Sequence, residues 1–232
     1  LLINETLWPG HPLGRDVAGS KTGIATLKRE QLLSFKARYY SPKNTVVSVA
    51  GNLDPKAVIE QLAALLGDWN GPQPHGYQPA PPPPDKPRLA LRFKDTEQAH
   101  LILRAPGLSR HHPDRFALAL LNTILGEGMS SRLFLEIRER LGLAYAIDSH
   151  LAFLSDTGIV EAYAALEPAR IEATIGVVLW EWQRLQREPV QAAELRRAQE
   201  FTKGRLLLGL EDSMAVTGWW GQQELLRSEV LT

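Results

Sequence analysis

The sequence contains no cysteine among its 232 residues. That absence excludes a disulfide scaffold, a thiol nucleophile and any cysteine-ligated metal site. Excess charge of one sign is also missing, because 26 Lys and Arg balance 26 Asp and Glu, so we expect no nucleic-acid partner. No apolar run approaches the roughly 20 residues that span a bilayer, and we expect no membrane segment. The remaining composition, 44% hydrophobic and 22% charged, is typical of a folded globular chain.

The two ends of the chain do not look like natural termini. It begins Leu1-Leu2-Ile3-Asn4, with neither an initiator Met nor the basic flank of a signal peptide. It stops at 225–232, in what the pattern predicts to be the end of a helix. We therefore expect a piece of a longer protein. No signal segment is visible, because the N-terminus is missing from this piece. The lack of cysteine fits a reducing compartment, and we expect a cytoplasmic location.

One segment is unusually rich in proline. Residues 70–87 hold eight of the sixteen prolines, a composition that favours extended polyproline II and resists packing into a core. We interpret this segment as a linker, although a proline-rich ligand for a partner would have the same composition. The linker divides the chain into a first part, 1–69, and a second domain, 88–232, which we expect to be truncated at its C-terminus.

The periodicity of apolar residues predicts both helices and strands. One predicted helix has Asp54 as its cap, Pro55 as its first residue and Gly67 as its stop signal. Strands that pair next to runs of helices indicate an α+β fold, with helices packed on one face of a mostly antiparallel sheet. The predicted helices are 27–40, 55–66, 114–125, a helix carrying Leu133, Ile137 and Leu141, 169–187, 191–210 and 212–227. The predicted strands are 45–50, 88–94, 98–105, 144–153 and 158–166.

The residues that could carry chemistry give little signal by themselves. None of the histidines has the spacing of H-E-x-x-H or H-x-x-E-H, so no metal ligand set is predicted in this chain. The segment Gly126-Glu127-Gly128 resembles a phosphate loop, but it follows a helix and lacks the third glycine and a Lys-Ser/Thr pair. The six histidines are His11, His75, His100, His111, His112 and His150.

Three stretches, in this order, carry a resemblance to a known family. The first is 7–15, LWPGHPLGR, and the second is 39–52, YYSPKNTVVSVAGN. The third is 125–134, LGEGMSSRLF, which continues into Ile137-Arg138-Glu139 and Gly142-Leu143-Ala144-Tyr145. In these motifs and their spacing, the chain resembles the pitrilysin/insulinase family of zinc metallopeptidases, the inverzincins, particularly its bacterial processing-peptidase-like branch.

The resemblance implies an architecture and an activity. Family members carry two homologous α+β domains, of the LuxS/metallohydrolase-like type, that close around a peptide, and the first holds the zinc ligands in H-x-x-E-H and a later Glu. This chain would contain the end of that zinc-side domain (1–69), the linker, and the non-zinc domain (88–232). The implied chemistry is peptide hydrolysis by a zinc-activated water, with the motif Glu as general base. We expect zinc in the full-length protein, and neither bound zinc nor activity in this chain alone.

The resemblance also implies two substrate-binding residues. The family's second domain supplies an Arg and a Tyr seven residues apart that reach the peptide, and Arg138 and Tyr145 have that spacing. Arg138 lies one residue, or about 100° of an α-helix, beyond Ile137, at the edge of the predicted apolar face. The alternative is an ordinary surface Arg on an amphipathic helix and a Tyr that begins a strand.

Two functions of different classes remain open. The first is the substrate-clamping half of a zinc endopeptidase, with peptide as its ligand and no catalytic residue in this chain. The second is a non-catalytic structural or partner subunit, as in processing peptidases or the core proteins of respiratory complexes. Either would be consistent with a homodimer, or with a heterodimer with a related peptidase subunit. The presence or absence of H-x-x-E-H upstream would distinguish them.

Overall fold

The structure is a computed structural model that describes residues 2–73, 76–227 and 230. Over these residues the chain forms eight α-helices, three β-strands, a π-helix at Phe134–Arg140 and several short 3-10 turns. The helices are α1 (Leu2–Leu7), α2 (Lys21–Thr26), α3 (Arg29–Tyr39), α4 (Pro55–Leu66), α5 (Arg115–Gly126), α6 (Ile171–Arg187), α7 (Ala192–Gly209) and α8 (Ser213–Arg227). The strands are β1 (Ala99–Gly107), β2 (Ala146–Phe153) and β3 (Gly158–Leu166).

The chain divides into two compact units. One comprises Leu1–Gly14 with Ala80–Arg205, and the other comprises Arg15–Pro79 with Leu206–Thr232. The predicted division of the sequence at the proline-rich segment 70–87 concerns the domains of the longer protein, and it stays a prediction.

The first unit is built on a three-stranded antiparallel sheet in the order β1-β3-β2. In the central strand, Ala162 lies opposite Leu103 of β1 and Ser149 of β2. Strands β2 and β3 form a hairpin, whose turn is closed by a hydrogen bond of 2.9 Å from the Leu154 amide to the Thr157 carbonyl. The prediction of a hairpin made of 144–153 and 158–166 is confirmed, because the two segments pair antiparallel on either side of the short polar turn at Ser155-Asp156.

One face of this sheet carries the core of the first unit. The β3 residues Ala162, Ala164 and Leu166 all point to that face, since strand side chains alternate with a period of two. They pack in one cluster with Leu125 of α5 and Val178 of α6. The other buried members of the cluster are Leu133, Ile137, Leu143, Ala144 and Ile147. Helices therefore cover one face of an antiparallel sheet, which confirms the predicted α+β fold.

In the second unit, the capping and stop residues predicted for one helix agree with the structure. Helix α4 begins at Pro55, and the Asp54 carboxylate accepts a hydrogen bond of 3.0 Å from the Lys56 amide. Gly67 follows its last residue, as predicted. None of the described helices of either unit has the length and the apolar character that a membrane-spanning helix needs.

Two of the predicted strands are wrong. No strand pairs with 45–50 or with 88–94 among the described residues, and both segments are extended but irregular. In the second segment, Leu89, Leu91 and Phe93 are 93%, 89% and 89% exposed. The β-branched apolar run at 45–50 and the alternation at 88–94 are real, but a strand also needs a neighbouring backbone to accept and donate its hydrogen bonds.

Candidate functional site

The predicted site residues flank the connection between the π-helix and β2. The amide of Leu141 donates to the carbonyl of Glu136, five residues back, at 3.0 Å, which is the hydrogen-bond pattern of a π-helix. Leu133 and Ile137 are fully buried and hold this segment on the core. Leu141, which was predicted to share their face, is instead 37% exposed, because the wider π turn changes which residues align. A π segment often marks a functional site.

The turn after the π-helix depends on a glycine. Gly142 has φ +59°, in the left-handed region that side chains with a Cβ rarely adopt. The next amide, that of Leu143, donates to the Ile137 carbonyl at 2.8 Å and satisfies a free carbonyl at the helix end. Leu143 and Ala144 return to the core. The amide of Tyr145 then donates to the Ala165 carbonyl at 2.8 Å, so Tyr145 is fixed where β2 meets β3.

Arg138 is exposed and retains most of its hydrogen-bonding capacity. Its guanidinium carbon lies 5.0 Å from the centre of the Phe134 ring, in cation–π range. It makes no hydrogen bond or ion pair with any residue that the structure describes. By contrast, the neighbouring Arg140 pairs with Glu136 four residues before it. The donors of Arg138 are therefore available to a ligand.

Tyr145 is 55% exposed, and its hydroxyl is engaged. It donates a hydrogen bond of 3.0 Å to a carboxylate oxygen of Glu167. This hydrogen bond, with a smaller charge repulsion from the same carboxylate, raises the pKa of Tyr145 above its ordinary value of 10.0. Arg138 and Tyr145 thus lie on either side of one turn, but the structure shows no hydrogen bond or ring contact between them.

A charged network supports the start of the π-helix. The Arg132 guanidinium donates two hydrogen bonds, of 2.7 and 2.6 Å, to the Glu194 carboxylate of α7. It also lies 3.7 Å from the Glu181 carboxylate of α6, and Glu181 is only 2% exposed. The Arg184 guanidinium gives Glu181 a further hydrogen bond of 3.0 Å. The bond with Arg132 lowers the pKa of Glu194 and raises that of Arg132.

Sequence reasoning missed this network and the contact of Glu167 with Tyr145. A signal for Glu181 was present, because Thr174, Val178 and Glu181 recur at helical spacing and are the buried residues of α6. A charged residue in that pattern predicts a buried partner of opposite charge. Glu167 had no such signal, since it follows the end of β3 and is exposed.

The histidines that the structure describes do not form a metal centre. The residues that the structure describes contain no group of three or more His, Asp or Glu side chains that could hold a metal ion. The Nδ1 atom of His100 lies 2.8 Å from the Tyr163 hydroxyl, and the Nε2 atom of His150 lies 2.8 Å from an Asp148 oxygen. The Nδ1 atom of His112 accepts a hydrogen bond from the backbone amide of Asp114. His75 lies outside the described residues. The described side chains therefore do not fit a zinc ion, and we derive no step through one.

Comparison with known proteins identifies the family. The family model described as the peptidase M16 inactive domain matches residues 26–201. An uncharacterized zinc protease of Mycobacterium leprae is 39% identical over 228 residues, which is 94% of this chain and 50% of that protein. The chain spans about half the length of the curated relatives it matches.

Solved structures give the same result. A protease from Helicobacter pylori superposes with a TM-score of 0.82 at 25% identity, over 96% of this chain and 55% of that one. A peptidase M16 inactive domain from Pseudomonas fluorescens also has a TM-score of 0.82 at 25% identity, over 98% of this chain and 54% of that one. The chain therefore belongs to the M16 peptidase family, which confirms its resemblance to the pitrilysin and insulinase metallopeptidases.

Proposed function

We propose that this chain is the substrate-binding, non-zinc part of a zinc endopeptidase, and that Arg138 and Tyr145 contact the peptide. The matching family model is described as the inactive domain. The relatives that are named zinc proteases are about twice as long as this chain. Zinc would accordingly be held by residues of the full-length protein outside this chain. The predicted arrangement of a zinc-side part at 1–69, a linker at 70–87 and a non-zinc domain at 88–232 is part of this proposal.

The observation that carries the proposal is the exposed guanidinium of Arg138 without a hydrogen-bonding partner. A guanidinium presents several N–H donors in a fixed plane, which suits the carbonyl oxygens of an extended peptide. The Phe134 ring beneath it restricts its orientation, so less side-chain entropy is lost when a peptide binds. The neighbouring Arg140, by contrast, is paired with Glu136.

Tyr145 supplies the second contact from the other side of the turn. Its phenol has one proton, which can be donated to a substrate carbonyl oxygen and most strongly when that oxygen gains negative charge. A phenol of ordinary pKa is already protonated at neutral pH, as a donor must be, and the contact with Glu167 raises the pKa of Tyr145 further. Both side chains stand on backbone that is fixed by the core, so they can act as positioned donors.

The test is steady-state kinetics of the zinc-loaded, full-length protein on a peptide library. Tyr145→Phe should lower kcat on the order of 100-fold, the usual effect of losing one transition-state donor, with zinc content and melting temperature unchanged. Arg138→Ala should also weaken peptide binding and raise KM. Arg140→Ala is the matched control, because it removes an exposed but paired guanidinium two residues away, and it should behave like wild type.

Two outcomes would contradict the proposal in different ways. If Arg138→Ala and Tyr145→Phe both keep the wild-type kcat/KM, the two residues are ordinary surface residues. If the full-length protein binds no zinc and cleaves only when mixed with a related peptidase subunit, the chain belongs to a non-catalytic partner subunit. In that case the same two variants, tested in the mixture, show whether this chain still contacts the peptide.

A further inference from the structure

The contact between Tyr145 and Glu167 joins two residues that are 22 positions apart in the sequence. Tyr145 immediately precedes β2 and Glu167 immediately follows β3, so the antiparallel pairing of these strands brings them to the same end of the hairpin. The amide of Tyr145 donates to the carbonyl of Ala165 at 2.8 Å, which fixes both backbones. The contact is thus built on the most regular part of the first unit.

The backbone of Glu167 is fixed on its other side as well. The preceding Leu166 is fully buried in the core. Pro168, which follows Glu167, begins a 3-10 turn, and the amide of Arg170 donates to the Glu167 carbonyl at 2.9 Å. Only the side chain of Glu167 is free to move, and its carboxylate accepts a hydrogen bond of 3.0 Å from the Tyr145 hydroxyl.

We propose that Glu167 is a positioning residue for Tyr145, and that its carboxylate holds the phenol in one orientation before a peptide binds. This inference rests on the substrate-binding role proposed for Tyr145. An exposed tyrosine without a partner would sample several side-chain rotamers, and the hydrogen bond to Glu167 selects one of them. The ring is then placed beside the turn that separates it from Arg138.

The chemistry of the phenol explains how such a contact can be released. A phenol has one proton, so while it donates to Glu167 its oxygen can only accept a hydrogen bond from a ligand. When the phenol donates its hydrogen bond to a peptide carbonyl instead, the O–H bond rotates and the Glu167 carboxylate is left with water. Because Glu167 is exposed, water can solvate the released carboxylate. The phenol stays neutral throughout, and no covalent bond is formed or broken.

The contact can be tested first in this chain without any activity. Tyrosine labelled with carbon-13 at the ring carbon that bears the hydroxyl reports ionisation by NMR, and Tyr145→Phe assigns the signal. The pKa of Tyr145 should fall in Glu167→Gln and in Glu167→Ala, because the acceptor charge is lost, although Glu97 adds a weaker repulsion. Glu172→Ala, which removes an exposed carboxylate on α6, is the matched control and should leave the titration unchanged. An unchanged titration in both Glu167 variants would overturn the inference.

The positioning role is then tested in the zinc-loaded full-length enzyme. Glu167→Ala should lower kcat/KM at least about tenfold, since a misplacement near 1 Å can cost on the order of 100-fold. Glu167→Gln, whose amide oxygen can still accept the phenol proton, should restore most of that loss. If Glu167→Ala keeps wild-type kcat/KM while Tyr145→Phe loses it, the positioning role is wrong and the proposed function stands. If Tyr145→Phe itself has no effect, the proposed function fails and this inference fails with it.

Discussion

Replacement of Gly126 by alanine tests how closely helix α5 approaches strand β2, beneath the proposed site. A Cβ atom at this position would lie 2.4 Å from the Ser149 hydroxyl oxygen and 2.6 Å from the Ser149 backbone nitrogen. Ser149 is buried, pairs with Ala162 in the sheet, and donates its hydroxyl to the Asn122 carbonyl at 3.2 Å. Neither the side chain nor the backbone of Ser149 can move away without losing these bonds.

The magnitude follows from this geometry. Relief of the clash requires the end of α5 and strand β2 to separate by about 1 Å, and overpacking of a well-packed interior costs about 1–3 kcal/mol. The upper part of that range applies, because the obstructing atoms include backbone. Alanine recovers at most about 1 kcal/mol through its higher helix propensity. We therefore expect Gly126→Ala to lower the free energy of unfolding by about 2 kcal/mol.

The assay is urea unfolding of this chain, followed by far-UV circular dichroism, with hydrogen exchange of the β2 and β3 amides as a local measure. Gly176→Ala is the control, because Gly176 is exposed in the middle of α6 and a Cβ there would meet nothing within 4 Å. It should stabilise the chain by up to about 1 kcal/mol. If Gly126→Ala is as stable as wild type while Gly176→Ala behaves as expected, the close approach of α5 and β2 is wrong.

Three further predictions concern pH, strain and self-association. The hydrogen bond from Arg132 lowers the pKa of Glu194 below its ordinary value of 4.5. The pair therefore stabilises the fold at pH values above 4.5, and this stabilisation is lost as the pH falls through the lowered pKa of Glu194. Urea unfolding at several pH values should show that the free energy of unfolding falls less with decreasing pH in Glu194→Gln than in the wild type. Gly142→Ala should cost about 1–2 kcal/mol of stability through its left-handed backbone alone, and Gly142→Asn should cost less. Leu91→Lys should reduce the light scattering of this chain on concentration, because the unpaired segment around it exposes apolar side chains.

The sequence predicted those elements whose signals are local. Helix α4 has Asp54 and Pro55 at its start and Gly67 after its end, and each of these acts on the neighbouring backbone without any distant partner. The β2–β3 hairpin was predictable for the same reason. The strand expected at 45–50 was predicted from a β-branched apolar run, and the strand expected at 88–94 from alternation. Both predictions failed because neither pattern carries information on whether another strand lies alongside.

The residues of the candidate site were proposed from a motif, and the sequence did not indicate their geometry. Arg138 and Tyr145 were identified through a motif, whereas the π-helical register depends on small differences in hydrogen bonding that no residue type specifies. The exposure of Leu141 is the visible consequence of that register. The Glu167 contact was out of reach, since it requires the hairpin to bring together residues 22 positions apart.

The rigidity of the site comes from residues that never reach its surface. Leu133 and Ile137 fix one side of the π-helix in the core, and Arg132 ties its start to α6 and α7 through Glu181 and Glu194. Removal of one partner from a buried ion network leaves an uncompensated charge and costs about 3–5 kcal/mol, so the position of this segment is strongly determined. Arg138 lies less than two helical turns beyond this anchor, so its Cα is accurately placed, and the contact with the Phe134 ring restricts its exposed guanidinium. Loss of peptide binding should therefore result from substitutions at Arg132 as well as at Arg138, but only those at Arg132 should also lower the stability of the fold.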